Sequence, residues 1–266
     1  MHIYRLVPPS ETEPCYALRE GDRFVRLRMT FEELATELMS GAKVLPRGEA
    51  FVVDGTPELL APSEPTKVVC VGLNYVHHAR EMNKDVPEEP LLFMKPVSAL
   101  TGGAGAEIHL PVQSELIHHE GELAVVIGRR ARHVSVEDAM AHVLGYTCAN
   151  DVTARDIQRR ENRYTRAKGF DTFCPLGPAL VTAERFDPND HSVTCRVNGE
   201  VRQQSRLDDL IWKIPELVSF ISHVMTLEPG DVVLTGTPAG VGELRAGDVV
   251  DVEIDGIGVL HNRVVG

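Results

Sequence analysis

Apolar residues in this chain fall mostly into short runs of strand length, and few of them recur at helical spacing. Ile3-Tyr4-Arg5-Leu6-Val7 and Phe24-Val25-Arg26-Leu27 read as short strands. Thr30-Phe31-Glu32-Glu33 has the spacing of a capping box and predicts a helix that stops at Gly41. Ala61-Pro62-Ser63-Glu64-Pro65 reads as a linker, after which Val68-Val69-Cys70-Val71 opens a new apolar strand. The pattern therefore predicts a small N-terminal α+β domain over residues 1–63 and a larger domain over 64–266. In the larger part, Leu123–Ile127 reads as a buried strand, and so does Val143–Cys148. Ser135-Val136-Glu137-Asp138 predicts the start of a helix that Gly145 terminates. Asn198-Gly199 between Val193–Val197 and Val201 predicts a hairpin. Leu217, Val218, Ile221, Val224 and Met225 recur at helical spacing behind Pro215, a residue suited to a first helical turn. Pro229-Gly230-Asp231-Val232-Val233 and Ala246-Gly247-Asp248-Val249-Val250 each read as a turn leading into a strand, without forming a true repeat. Strands dominate and do not alternate regularly with helices. The expectation is an α+β, mainly β architecture rather than a Rossmann sheet, and no phosphate-binding loop occurs.

Composition narrows the function. With 266 residues and 43% apolar content, the chain can bury a sizeable core. Its 27 Lys and Arg against 39 Asp and Glu give a net charge of −12. Such a chain repels nucleic acid and anionic membrane surfaces, so neither is an expected partner. The five cysteines are odd in number, widely spaced and free of any Cys-x-x-Cys, as expected of reduced thiols in a cytoplasmic protein. Met1-His2-Ile3-Tyr4-Arg5 leads into polar residues and prolines, which argues against a signal peptide, and no apolar run approaches the roughly 20 residues of a membrane-spanning helix.

The most informative stretch is Glu120-Gly121-Glu122-Leu123-Ala124-Val125-Val126-Ile127. A strand alternates its faces, so Glu120 and Glu122 share one. At roughly 4 Å and an effective dielectric of about 20, two such carboxylates repel by about 4 kcal/mol. A shared proton, a basic partner or a metal cation must offset that. Asp151, at the end of an apolar strand candidate, supplies a third carboxylate. Three oxygen ligands suit Mg²⁺ or Mn²⁺. The spacing alone fits a solvated strand end equally well. A zinc variant with His118 on the same face ranks lower.

Six motifs in order take the reading further: Gly72-Leu73-Asn74-Tyr75 with His78 and Glu81, Phe93-Met94-Lys95-Pro96, Glu120-Gly121-Glu122-Leu123, Asn150–Asp156, Lys168-Gly169-Phe170-Asp171, and Thr235-Gly236-Thr237-Pro238. With them, the region from about residue 66 to 266 resembles the fumarylacetoacetate hydrolase family. The resemblance implies a mixed β-roll, Mg²⁺ or Mn²⁺ on Glu120, Glu122 and Asp151, and a homodimer or higher homo-oligomer. The Gly72-Leu73-Asn74-Tyr75 motif is similar to that of the smaller members, which lack a further aspartate ligand. By the same resemblance, the segment bearing His78 and Glu81 is a lid that orders around substrate.

His78 and Glu81 are spaced i,i+3, so a short helix brings them into contact, although His77 to Glu81 at i,i+4 has the same reach. The resemblance favours His78, with Glu81 orienting it for proton transfer. Arg155 and Gln158 follow Asp151 along one helical face; with Lys168 they are candidate donors to an oxyanion. The N–H groups of the Thr235–Gly240 loop and the Thr237 hydroxyl are candidate binders of a substrate carboxylate. Cys174 reads as packing rather than nucleophile. Together these predict metal-dependent C–C bond hydrolysis of an acylpyruvate-type 2,4-dioxo acid, a small oxo-acid substrate. A hydroxyhepta-diene-dioate isomerase or oxo-acid decarboxylase stands close behind, and a sugar oxo-acid dehydratase third. The alternative of another class is a metal-binding scaffold without turnover.

Overall fold

The computed structural model describes residues 1–9, 11–55 and 57–266. Among them, strands assemble into an eleven-stranded mixed sheet, a five-stranded sheet and a three-stranded sheet. The architecture is mainly β, a mixed β-roll with a few helices.

The large sheet begins with an N-terminal meander of His2–Leu6, Cys15–Glu20, Arg23–Leu27 and Arg47–Val52. His2–Leu6 pairs with Cys174–Thr182, so the meander and the main part of the chain share one sheet. The sheet then continues through Val143–Asn150, Gly121–Ile127, Val232–Leu234, Val68–Gly72 and Leu91–Lys95. Gly121–Ile127 lies near the middle and is buried throughout. Leu123, Val125 and Ile127 pack into a core with the five-stranded sheet and helix Ile214–Val224. Ala124 and Val126 face a second core that contains Phe31, Leu34 and Ala35 of helix Phe31–Met39. Two buried faces explain why its Leu123–Ile127 stretch is apolar without interruption.

Local signals act as their chemistry requires. The Thr30 hydroxyl accepts from the Glu33 amide at 3.3 Å, and the Glu33 carboxylate accepts from the Thr30 amide at 2.8 Å. Asn198 (φ 52°) and Gly199 (φ 82°) both take left-handed backbone, closing the hairpin between Ser192–Val197 and Glu200–Arg206. Asp231 and Asp248 each accept from the amide three residues earlier at 2.7 Å, so the two Gly-Asp-Val-Val segments share a turn and nothing larger. Each of the five cysteines is a free thiol. Among the described residues, no helix is long and apolar enough to cross a membrane.

The helix predicted from Ser135 is replaced by a capping turn and a single 3₁₀ turn at Ala139–His142. Gly145 does not end a helix. It lies within strand Val143–Asn150, paired with Thr182. A β-carbon on Gly145 would sit 2.1 Å from the Val181 carbonyl oxygen, so the residue is glycine because the neighbouring backbone lies against it. Gly145→Ala is expected to destabilise the protein by roughly 3 kcal/mol, the upper end for overpacking a well-packed site. Urea denaturation checks this, and a loss below about 1 kcal/mol would contradict the close approach.

Candidate metal and oxo-acid site

The edge of the roll holds a cavity of about 410 Å³. Its floor follows from strand pairing. Gly121 pairs with Asn150, so the residues just before and just after that pair, Glu120 and Asp151, lie side by side. The Asp151 amide donates to the Glu120 carbonyl at 2.8 Å, and the Asn150 side-chain oxygen accepts from the Glu120 amide at 2.9 Å. One oxygen each from Glu120, Glu122 and Asp151 lies within 4.8 Å of the others, and all three residues are buried. Lys95, Lys168 and Arg155 surround this trio. Lys168, closing the short helix Thr165–Lys168, reaches Glu120 at 2.7 Å and Asp151 at 2.5 Å. Lys95 reaches the other Asp151 oxygen at 2.5 Å and the Val152 carbonyl at 3.1 Å. Arg155 donates to Glu120 and to the Gln158 side-chain oxygen.

Glu122 is the exception: it accepts from the Gly236 amide at 2.7 Å, and neither lysine nor Arg155 bonds to it. Burial, followed by repulsion from Asp151 and Glu120, pushes its carboxyl well above the usual range. Glu120 experiences the same burial, but Lys168 and Arg155 more than offset it and hold its carboxyl low. For Lys168, burial favours the neutral amine, yet Asp151 and Glu120 outweigh burial and keep the ammonium charged. An all-oxygen set of three buried carboxyls fits Mg²⁺ or Mn²⁺. His118 stands outside the trio, and its Nδ1 accepts from Arg155 Nε at 3.4 Å. Burial and the Arg155 charge lower its pKa to about 4, so it supports Arg155 as a neutral imidazole. The zinc variant loses its ligand on this geometry. Burial pushes the Cys174 thiol up to about 12, in keeping with packing.

His78 and Glu81 meet on helix Val76–Glu81, with His78 Nδ1 3.0 Å from Glu81 Oε2. His77 is exposed and His78 is buried, which resolves the choice that spacing left open. The other Glu81 oxygen accepts from the Gly240 amide at 3.0 Å. The Thr235–Gly240 loop thus differs from expectation. Its Gly236 and Gly240 amides bind Glu122 and Glu81, the protein's own carboxylates. Thr237 lines the cavity, but its hydroxyl donates to the Gly121 carbonyl at 2.9 Å. Gly236 adopts φ 99° within reach of Asn74, where a β-carbon would meet the Asn74 side chain at 2.8 Å.

Residues 67–265 match the family model described as fumarylacetoacetate (FAA) hydrolase, C-terminal. The chain belongs to the fumarylacetoacetate hydrolase family. Over 259 residues it is 48% identical to the mitochondrial oxaloacetate tautomerase FAHD2A of Bos taurus, covering 93% of this chain and 78% of that protein. The crystal structure of 2-hydroxyhepta-2,4-diene-1,7-dioate isomerase from Mycobacterium marinum is similar over 100% of this chain and 98% of its own, with 40% identity and a TM-score of 0.84. Fumarylpyruvate hydrolase from Pseudomonas aeruginosa, solved in complex with Mn²⁺ and pyruvate, is similar over 80% of this chain and 94% of its own, with 37% identity and a TM-score of 0.72.

Within this family fold, Lys95 is the residue that sequence reasoning missed. It is 1% exposed and appeared only as the third member of Phe93-Met94-Lys95-Pro96. The available signal was a lysine closing the otherwise apolar strand Leu91–Lys95, a position where an unpaired ammonium would be costly. Lys95→Met would leave Asp151 with Lys168 alone and is expected to cost about 3 kcal/mol at neutral pH, as for a broken buried pair. Urea denaturation in chelator reads this, and an unchanged midpoint would contradict it. Glu122 contributes one component of the pH dependence. Its folded pKa lies above the ordinary 4.5, so the folded state favours a proton that the unfolded state releases. That component of stability in chelator should fall as pH rises from that value through the raised one, opposite in sign to the component from His118, and Glu122→Gln should remove it. Parallel melting-temperature profiles for the two proteins would refute the assignment.

Proposed function

We propose that this chain is a divalent-metal-dependent enzyme that moves a proton on a small 2-oxo acid by way of its enolate, with tautomerisation of an oxaloacetate-type acid as its first activity. The observation that carries the reading is the buried trio Glu120, Glu122 and Asp151 on the cavity floor, with Lys168 bridging two of its members. Those three residues would hold Mg²⁺ or Mn²⁺, which when bound supplies Lewis acidity toward the oxygens of the oxo acid.

The chain's own groups supply the rest. With Glu81 holding the Nδ1 edge of His78, a proton on Nδ1 would leave Nε2 free to act as the base, and His78 lines the cavity. Lys168 keeps its proton and offers positive charge where negative charge develops on the substrate oxygen. Arg155 fixes Gln158 and Glu120, and Gln158 lines the cavity beside it. Lys84 and Arg159, exposed at the cavity mouth, favour a substrate with a second carboxylate. The likeness to an oxaloacetate tautomerase over 93% of the chain supports proton transfer as the first reaction.

Hydrolysis of an acylpyruvate is the second reading. It is favoured by the His78–Glu81 dyad, which suits activation of water as well as proton transfer, and by a cavity roomier than a four-carbon acid requires. Assembly into a homodimer or higher homo-oligomer belongs to the same proposal, and light scattering tests it.

The experiment follows loss of enol absorbance for oxaloacetate and for an acylpyruvate panel, with and without Mg²⁺ or Mn²⁺, and identifies the products. Metal-dependent acceleration on oxaloacetate, with a proton moved from the enol oxygen to carbon and no C–C bond cleaved, is the expected result. Release of pyruvate and an acid would move the assignment to hydrolysis, and release of CO₂ to decarboxylation. Glu120→Ala and Asp151→Ala should abolish metal binding and reduce the rate to background, and His78→Asn should lower it by roughly 10²–10⁴-fold. Metal-stimulated turnover in both carboxylate variants would refute the site.

A further inference from the structure

Strand Glu200–Arg206 lies at an edge of the five-stranded sheet and exposes most of its side chains. Gln203 breaks that pattern, at 1% exposure. Burying a carboxamide is unfavourable unless its hydrogen-bonding groups are satisfied, and an apolar residue would fill the same space without that constraint. Here all of them are satisfied. The side-chain oxygen accepts from the Gly121 amide at 3.0 Å and lies 3.0 Å from His119 Nδ1. The side-chain nitrogen donates to Thr237 Oγ1 and to the Pro238 carbonyl, both at 2.7 Å. The partners fix which end is which: an amide can only donate, and a proline carbonyl can only accept.

These bonds close a ring. Gly121 N–H meets Gln203, Gln203 meets the Thr237 hydroxyl, and that hydroxyl donates back to the Gly121 carbonyl at 2.9 Å. Gly121 stands between Glu120 and Glu122, and Thr237 follows Gly236, whose amide holds Glu122. A β-carbon on Gly240 would lie 2.0 Å from the Arg202 carbonyl oxygen, so the loop backbone also rests directly on this strand.

We infer that Gln203 is a positioning residue that sets the spacing between the Glu120-Gly121-Glu122 segment and the Thr235–Gly240 loop. It thereby holds Glu122 against Glu120 and Asp151 in a geometry ready for a divalent cation. The inference rests on the reading that these carboxylates bind metal. Gln203 does not line the cavity and acts through Gly121 and Thr237.

Gln203→Met keeps the length of the side chain and removes its hydrogen bonds, whereas Gln203→Glu keeps an oxygen for Gly121. Two readouts apply: amide hydrogen exchange of the metal-free protein, and Mn²⁺ binding followed by electron paramagnetic resonance. In Gln203→Met, exchange should quicken several-fold in residues 119–123 and 235–241, with helix Ile214–Val224 unchanged. Its Mn²⁺ affinity should fall by about 10–100-fold, the usual effect of losing a partner that orients metal ligands. Gln203→Glu should recover protection at Gly121 but not in the loop. Unchanged exchange and affinity in Gln203→Met, or faster exchange throughout the molecule, would overturn the inference. If that variant does not fold, Thr237→Val opens the same ring from the other side: the same local pattern supports the inference and its absence refutes it. If the wild type binds no Mn²⁺, the metal reading fails, and the exchange comparison decides Gln203 alone.

Discussion

Three carboxylates buried within a few ångströms of one another repel strongly, and the surrounding structure is arranged to counter that repulsion. Lys95, Lys168 and Arg155 converge on Glu120 and Asp151, each from a different part of the chain. None of the three bonds to Glu122, whose carboxyl is pushed well above the usual range by burial and by its two carboxylate neighbours. On the proposed reading, this carboxyl without a cationic partner is where a divalent cation would enter, displacing any proton held there.

The β-roll achieves this with ordinary sheet geometry. Pairing of Gly121 with Asn150 sets Glu120 beside Asp151, and both flanking strands are buried on two faces. The floor is therefore part of the buried core. The histidine dyad sits instead on a six-residue helix and is tied down by the contact of Glu81 with Gly240. On the proposed reading, ligands on the sheet beneath a separately mounted base would suit chemistry in which the metal must not move and the substrate must enter.

Much of this was legible in the chain. The two glutamates separated by one residue, the Thr30 capping box and the Asn198-Gly199 turn are local signals, and each acts locally in the structure. What escaped the sequence depends on long-range contact. Gly145 read as a helix stop, but its reason for being glycine is the Val181 carbonyl across the sheet. Lys95 read as one letter of a motif, although its partner lies 56 residues away. The Thr235–Gly240 loop reads as a binder of a substrate carboxylate, but its Gly236 and Gly240 amides are taken by Glu122 and Glu81. Gln203 offered no signal, because a buried glutamine on an exposed strand looks like any surface residue until its neighbours are known.

The use of those loop amides for internal carboxylates bears on how such a site diversifies. Backbone donors read an anion without regard to side-chain identity, and a loop that offered them to substrate would fix one recognition mode for every descendant of the fold. Here they are already engaged, so on the proposed reading recognition of the variable end of a substrate would fall to side chains at the rim, such as Lys84 and Arg159. Point substitutions would exchange those without disturbing the floor. Reaction chemistry and substrate choice would then be uncoupled in this architecture, and one could drift while the other is held constant.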